Sequence, residues 1–175
     1  MCYKPKDGGM GTTPLGWAAK NGHEDVVELL LGREDIDPNK PGEGGHTPLI
    51  LAVCYGCGRV VKMLLGRDDI DPDKPDEDGR TPLSFAAQYD HEGEVEILLR
   101  RDDVDPDKPD IRGRTPLWWA VESGNKEVVK MLLETDDVNP DKPDDSGLTP
   151  LWLAARNARY GRKGVAKIIF EWKST

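Results

Sequence analysis

The chain has 175 residues, of which 33% are charged, with a mean hydropathy of −0.63 and a formal net charge of −9. Such an acidic chain suits neither phosphate backbones nor anionic membrane surfaces, so we expect no nucleic acid and no membrane among its partners. The sequence holds no 18-residue apolar run, no signal-peptide pattern and only three cysteines, which favours an intracellular location, cytoplasmic or nuclear.

A tripeptide repeats through the whole chain. Thr-Pro-Leu begins at Thr13, Thr47, Thr81, Thr115 and Thr149, so it returns every 34 residues. A fixed period of this size indicates a solenoid, in which each unit is stable only when stacked on its neighbours. We therefore predict one continuous array over residues 1–175, with units 13–46, 47–80, 81–114, 115–148 and an atypical unit 149–175.

Each unit reads as a helix-turn-helix. Thr suits the N-cap of a first helix and Pro its first position, because proline lacks the N–H that would be unpaired there. Leu two residues after Thr, and Ala or Val five and six residues after it, share one helical face and predict the core, while positions +3, +4, +7 and +8 face neighbours or solvent. Glycines at 22, 56 and 124 suit left-handed helix ends, and an apolar second helix follows each of them.

The repeated unit resembles the ankyrin repeat. The resemblance rests on Thr-Pro-Leu-x-x-Ala-Ala at 13–19, 81–87 and 149–155, and on Asn21-Gly22-His23-Glu24 with the apolar residues after it. It implies an all-α ankyrin solenoid with finger-like hairpin connections, a protein–protein interaction function, and neither catalysis nor a cofactor. The family's histidine after Thr-Pro-Leu is replaced at each of the five positions, which leaves the usual hydrogen bond between units in doubt.

The connections resemble one subgroup of the family. Asp71-Pro72-Asp73-Lys74-Pro75-Asp76 and its copies are most like the connections in arrays of filamentous fungi, where such repeats often adjoin a nucleotide-binding switch domain. This similarity provides an alternative function, in which the array is a recognition or regulatory segment of a larger receptor-like switch protein.

The connections also carry most of the acidic charge. Segments 34–46, 68–80, 102–114 and 136–148 hold 21 Asp or Glu against 7 Lys or Arg. Their prolines fix φ and remove donors, so we expect stiff, extended, solvated fingers with little β ladder. An acidic edge of this kind favours basic or neutral partners.

The binding surface is predicted from positions that differ between units. Position +4 is always apolar and predicts packing between units, whereas +3, +7 and +8 vary. Rigid aromatics with scattered polar groups are typical of protein interfaces. We predict that a monomeric chain binds a protein partner through Tyr55, Tyr89, Trp118 and Trp152 together with the finger-tip residues Glu77, Asp78, Ile111, Arg112, Asp145 and Ser146. The alternative for Trp118 and Trp152 is burial between helices.

Other chemistry has weak support in the sequence. Cys54 and Cys57 form a single Cys-x-x-Cys, which lacks a second ligand pair for zinc and the strand-to-helix setting of a redox motif, and this metal or redox role is kept as a minor alternative. The acidic connections lack the glycine and closing glutamate of a calcium loop. No nucleophile and base recur together, and the three histidines have no evident partner, so we predict that the chain is not an enzyme.

The two ends of the array differ. Residues 156–164 are three residues longer than their counterparts and basic, and with the tail Phe170-Glu171-Trp172-Lys173 they suggest a C-terminal cap. The first unit keeps the internal pattern, so we expect preceding units or another surface to cover it.

Overall fold

The computed structural model describes residues 12–159 and 163–172, and within them the chain forms ten α-helices in five successive pairs. The helices are α1 Pro14–Lys20, α2 Glu24–Leu31, α3 Pro48–Cys54, α4 Gly58–Leu65, α5 Pro82–Tyr89, α6 Glu92–Leu99, α7 Pro116–Ser123, α8 Lys126–Leu133, α9 Pro150–Arg159 and α10 Lys163–Trp172. One short 3₁₀ turn spans Glu43–Gly45, and these described residues contain no β-strand. The all-α solenoid is confirmed.

The first helix of each pair begins as the sequence predicts. The Thr13 side-chain oxygen accepts a hydrogen bond from the backbone N–H of Gly16 at 3.0 Å, and the equivalent Thr115 accepts from Trp118 at 3.2 Å. Proline occupies the next position, where a missing N–H has no cost. The helix ends at a positive φ, supplied by glycine in most units and by Asp90 at φ 62° in the third.

The core lies between the stacked pairs. The first helices contact one another in succession from α1 to α9, and the second helices do so from α2 to α10. The predicted core positions are fully covered in the middle units, as Leu83, Ala86 and Ala87 of α5 show. Because each pair covers its neighbour, removing one unit would expose apolar surface on two others.

Burial at positions +3 and +4 varies along the array. Ile50 and Ser84, at +3, are completely buried, as a position that faces a neighbouring unit allows, whereas the larger Trp118 is half-buried and Trp152 is exposed. At +4 the expected packing holds except for Trp17, which is 51% exposed because no helix pair precedes α1 among the described residues.

The hydrogen bonds between units form at a different position of the repeat from the one that the family's histidine occupies. The residue at the turn between the paired helices contacts the carbonyl end of the preceding first helix. Asn125 Nδ2 donates to Ala87 O at 2.7 Å and Gln88 O at 3.0 Å, and His91 Nε2 lies 3.4 Å from Cys54 O. Arginines add a second link, since Arg67 and Arg101 donate to the last carbonyls of α2 and α4 respectively. The prediction that the histidines lack partners was therefore wrong for His91, and also for His46, whose Nε2 lies 3.9 Å from Asp76 Oδ2.

The fingers are held by their own carboxylates. Asp76 Oδ1 accepts the backbone N–H groups of Asp78 and Arg80 at 3.0 and 2.8 Å, and Asp110 and Asp144 repeat this arrangement in the next two fingers. Asp73, Asp107 and Asp110 are buried. The expectation of a solvated acidic finger was wrong for these residues, because their carboxylates replace the hydrogen bonds that a β ladder would provide.

The last pair is longer than the others. Both α9 and α10 have ten residues, whereas the earlier helices have seven or eight. Residues 160–162 of the predicted basic loop, and Lys173 of the predicted cap, lie outside the described residues. Phe170 and Trp172 are exposed, so these two side chains of α10 leave apolar surface at this end.

Candidate functional site: the finger face

The predicted finger-tip residues form one row. The backbone N–H of Glu77 donates to Gly44 O, that of Ile111 to Asp78 O and that of Asp145 to Arg112 O, at 3.2, 3.0 and 2.9 Å. Each tip is thereby linked to the one before it. All six predicted tip side chains are exposed, namely those of Glu77, Asp78, Ile111, Arg112, Asp145 and Ser146. The row is a continuous, accessible edge.

The four predicted aromatics lie on the first helices or at their ends. Trp152 is 48% exposed, and Tyr55, Tyr89 and Trp118 are half-buried. None of the four is sealed between helices, although Trp118 packs edge-on against Trp119 with ring centroids 5.2 Å apart. With the finger tips, they define the surface that we call the finger face.

Two arginines connect the fingers to the first helices. The Arg80 guanidinium lies between two rings, 3.9 Å from the Phe85 centroid and 4.1 Å from that of Trp119. The Arg114 guanidinium lies on the other side, 4.2 Å from Trp119 and 5.4 Å from Trp118. We call Arg80, Phe85, Arg114, Trp118 and Trp119 the guanidinium–indole cluster. Its residues come from three successive units, the second to the fourth, and such cation–π stacking is strengthened by burial.

The charges in this cluster are partly compensated. Arg114 donates from Nε to the fully buried carboxylate of Asp110 at 2.8 Å, and Arg80 donates from Nη2 to Gln88 Oε1 at 2.6 Å. Burial lowers the pKa of Arg80, opposed by the nearby Tyr89 and Asp76. An arginine remains charged at neutral pH even so, and the cluster therefore holds two guanidinium ions against one directly paired carboxylate.

The cluster also contains donors without acceptors. Arg80 Nε, Trp118 Nε1 and Trp119 Nε1 are buried and have no hydrogen-bond partner among the described residues. A buried N–H without an acceptor costs about 1–3 kcal/mol. Three such groups within one stack of side chains are unusual, and they give this part of the finger face an excess of donors.

Cations cover the other aromatics as well. Lys20 Nζ lies 5.1 Å from the Tyr55 centroid and Arg156 lies 5.4 Å from that of Trp152. Arg156 also pairs with Glu122 of the preceding unit at 3.0 Å. Aromatic rings on this face are thus already in contact with cations of the chain itself.

Sequence reasoning missed Arg80 and Arg114. A signal for them exists, because the residue directly before Thr-Pro varies between units, and in two units an arginine there accompanies an aromatic at position +4. Burial alone would have disfavoured a charged residue at this position. Stacking between neighbouring units, which depends on the register of the solenoid, explains how it is tolerated, together with the ion pair of Arg114 with Asp110.

The cysteine alternative finds little support. Cys57 Sγ lies 3.9 Å from two backbone carbonyls, those of Lys20 and Tyr55, and burial together with the charge of Glu94 raises its thiol pKa. A raised pKa opposes the thiolate that metal binding and redox exchange require. Within residues 12–159 and 163–172, no three His, Cys, Asp or Glu side chains form a group that could hold a metal ion.

A membrane span is likewise not found in the part of the chain that the structure describes, where no helix is both long enough and apolar enough to cross a bilayer.

Stacked helix pairs with a constant core and a variable face define the class of repeat scaffolds known as α-solenoids. The family described as Ankyrin repeats (3 copies) matches residues 2–76, 60–144 and 102–174, which together cover nearly the whole sequence. The chain belongs to the ankyrin repeat family. No curated protein matches it. Proteins of this family generally serve protein–protein interaction and are typically non-catalytic.

Proposed function

We propose that the chain is a non-catalytic module that binds one protein partner along its finger face. The partner would contact the four aromatics and the finger tips, and neither nucleic acid nor a membrane would take part. The observation that carries this proposal is the accessibility of variable residues beside a fixed core. Trp152 at +3 is 48% exposed while Ala154 at +5 of the same helix is fully buried.

The remaining organisation follows from the repeat. We propose a single array with units 13–46, 47–80, 81–114, 115–148 and 149–175, monomeric and intracellular. A reducing compartment suits Cys54 and Cys57, which are half-buried thiols in the structure.

The test compares two double variants in capture experiments from a lysate of the source organism. Y89A/W118A removes two aromatics from the finger face. R100A/E134A removes two exposed side chains that directly follow the second helices α6 and α8 and are not among the predicted binding residues. We expect the wild type and R100A/E134A to retain the same proteins and Y89A/W118A to lose them, with thermal midpoints of all three within a few degrees. Equal retention by the two variants would refute the proposed surface, and a collapse of Y89A/W118A stability would assign the aromatics to the core.

A further inference from the structure

We propose that the guanidinium–indole cluster binds one Asp or Glu side chain of a peptide segment in the partner, flanked by neutral or basic residues. This inference rests on the proposed function and adds to it the chemistry of the partner. It concerns a part of the finger face, built by the fingers of the second and third units and by α5 and α7.

The chemistry of the donors favours a carboxylate. Three buried N–H groups, on Arg80, Trp118 and Trp119, lack acceptors among the described residues, and the guanidinium ions of Arg80 and Arg114 lie 4.1 and 4.2 Å from the same indole ring. A group that brings acceptor atoms and a negative charge satisfies both features. A lysine or arginine of the partner would satisfy neither and would be repelled by two cations.

The surrounding charges limit how acidic the segment can be. Glu77, Asp78 and Asp145 are exposed at the finger tips of the same face. Several carboxylates in a row would be repelled by these tips and by the net charge of −9. A single carboxylate with neutral or basic neighbours fits the cluster and the tips together, because the neighbours then lie opposite the acidic residues.

Access requires only side-chain movement. Arg80 and Trp118 are half-buried and stand at the surface of the cluster. Outside its stacking, Arg80 has one direct side-chain hydrogen bond among the described residues, the one to Gln88. Changes of side-chain rotamer are common when partners bind, and a rotation of Arg80 would uncover the face of the Trp119 ring on which it is stacked.

The experiment is a selection from a displayed library of random 12-residue peptides on the immobilised full chain. Peptides are then synthesised with acetylated and amidated ends, so that a chain terminus cannot provide the carboxylate. We expect the enriched sequences to share one Asp or Glu with neutral or basic neighbours. Replacing this acid by its amide should weaken binding about tenfold, the loss expected for hydrogen bonds to a charged group.

Conservative variants of the chain separate recognition from stability. W118F and W119F each remove an indole N–H while keeping an aromatic ring. W17F is the matched control, since Trp17 lies on α1 outside the predicted binding residues and has no buried unpartnered donor. We expect W118F and W119F to weaken peptide binding severalfold with an unchanged or higher thermal midpoint, and W17F to change binding little.

The outcomes distinguish the two proposals. Enriched peptides without a shared acid, or unchanged binding by W118F and W119F, would overturn the carboxylate site while leaving the finger face as a peptide surface. Peptides that bind Y89A/W118A as tightly as the wild type, or no enrichment at all, would contradict the proposed function itself.

Discussion

Replacing Asp73 by Asn is expected to stabilise the protein, although it removes the charge from a buried hydrogen-bonded carboxylate. Asp73 is only 8% exposed, and its Oδ2 accepts the backbone N–H of Asp105 at 2.7 Å, whereas its Oδ1 has no partner among the described residues. One finger earlier, the same place holds Asn39. Its Oδ1 accepts the Asp71 N–H at 2.8 Å and its Nδ2 donates to Asp69 O at 2.6 Å.

The repeat therefore contains a native comparison. The carbonyl of Asp69 accepts a hydrogen bond from Asn39, and by register we expect the carbonyl of Asp103 to lie beside Asp73 in the same way. An amide at position 73 would then donate a hydrogen bond to this carbonyl, where the carboxylate of Asp73 only brings two oxygens together. Relief of one unpartnered buried group is worth about 1–3 kcal/mol, from which the lost attraction to Lys108 must be subtracted. We expect a net gain of about 1 kcal/mol, or about 2–4 °C in the thermal midpoint for a chain of this size.

The pH dependence follows from the direction of the pKa shift. Burial raises the pKa of Asp73 above its usual value of 3.8, although the hydrogen bond from the Asp105 N–H and the charge of Lys108 act to lower it. The folded state therefore binds the Asp73 proton more tightly than the unfolded chain does. Above the folded pKa the ionised carboxylate destabilises the folded state by its full amount, and this destabilisation shrinks as the pH falls through that pKa. The advantage of D73N should be largest at pH 7 and should disappear below about pH 4.

Urea unfolding at several pH values measures this gain. N39D is the reciprocal variant and should lose about 1 kcal/mol at pH 7. D102N removes an exposed carboxylate and controls for net charge, with an expected change within about 0.5 kcal/mol. Destabilisation by D73N, or an N39D variant as stable as the wild type, would refute the reasoning from register.

Three further predictions concern other positions. Gly79→Ala should cost about 1–3 kcal/mol, because Gly79 has a φ of 78° and a Cβ there would lie 2.7 Å from a backbone nitrogen of the next finger. Gly93→Ala, in open helical space, should gain up to about 1 kcal/mol in the same urea titration. Arg101→Met removes a hydrogen bond between units and should cost about 1–2 kcal/mol. Arg33→Met should cost about 0.5 kcal/mol or less, because the Arg33 guanidinium pairs with the exposed Asp35. Equal costs would contradict the proposal that Arg101 links neighbouring units. Burial raises the pKa of Cys57, so its reaction with a disulfide reagent should reach half its maximal rate at a higher pH in the folded protein than in the protein unfolded in urea. The rates are measured with the other two cysteines changed to serine. A lower midpoint pH in the folded protein would contradict this prediction.

The fold was predictable because it depends on local signals. Thr47 and Pro48 specify where α3 begins whatever lies around them, and the 34-residue period specifies that the pairs stack. Position +4 could be assigned to packing because it stays apolar in every unit. These features repeat, and repetition within one chain distinguishes structural positions from variable ones.

The candidate site was only partly predictable. Trp118 and Trp152 could be named as variable aromatics, but their exposure depends on the size of the residue at +3 and on the finger above it. The stacking of Arg80 on Trp119 depends on contacts between different units. Likewise, the burial of Asp73 depends on the next finger, and a count of acidic residues cannot reveal it.

The most direct measurement of the proposed binding surface is amide hydrogen exchange of the full chain with and without a selected peptide. We predict slower exchange on binding in α5 and α7 and at the finger tips near residues 77–78, 111–112 and 145–146, with unchanged exchange in α4, α6 and α8. Protection confined to those second helices, or an exchange profile that the peptide does not alter, would contradict binding at the finger face.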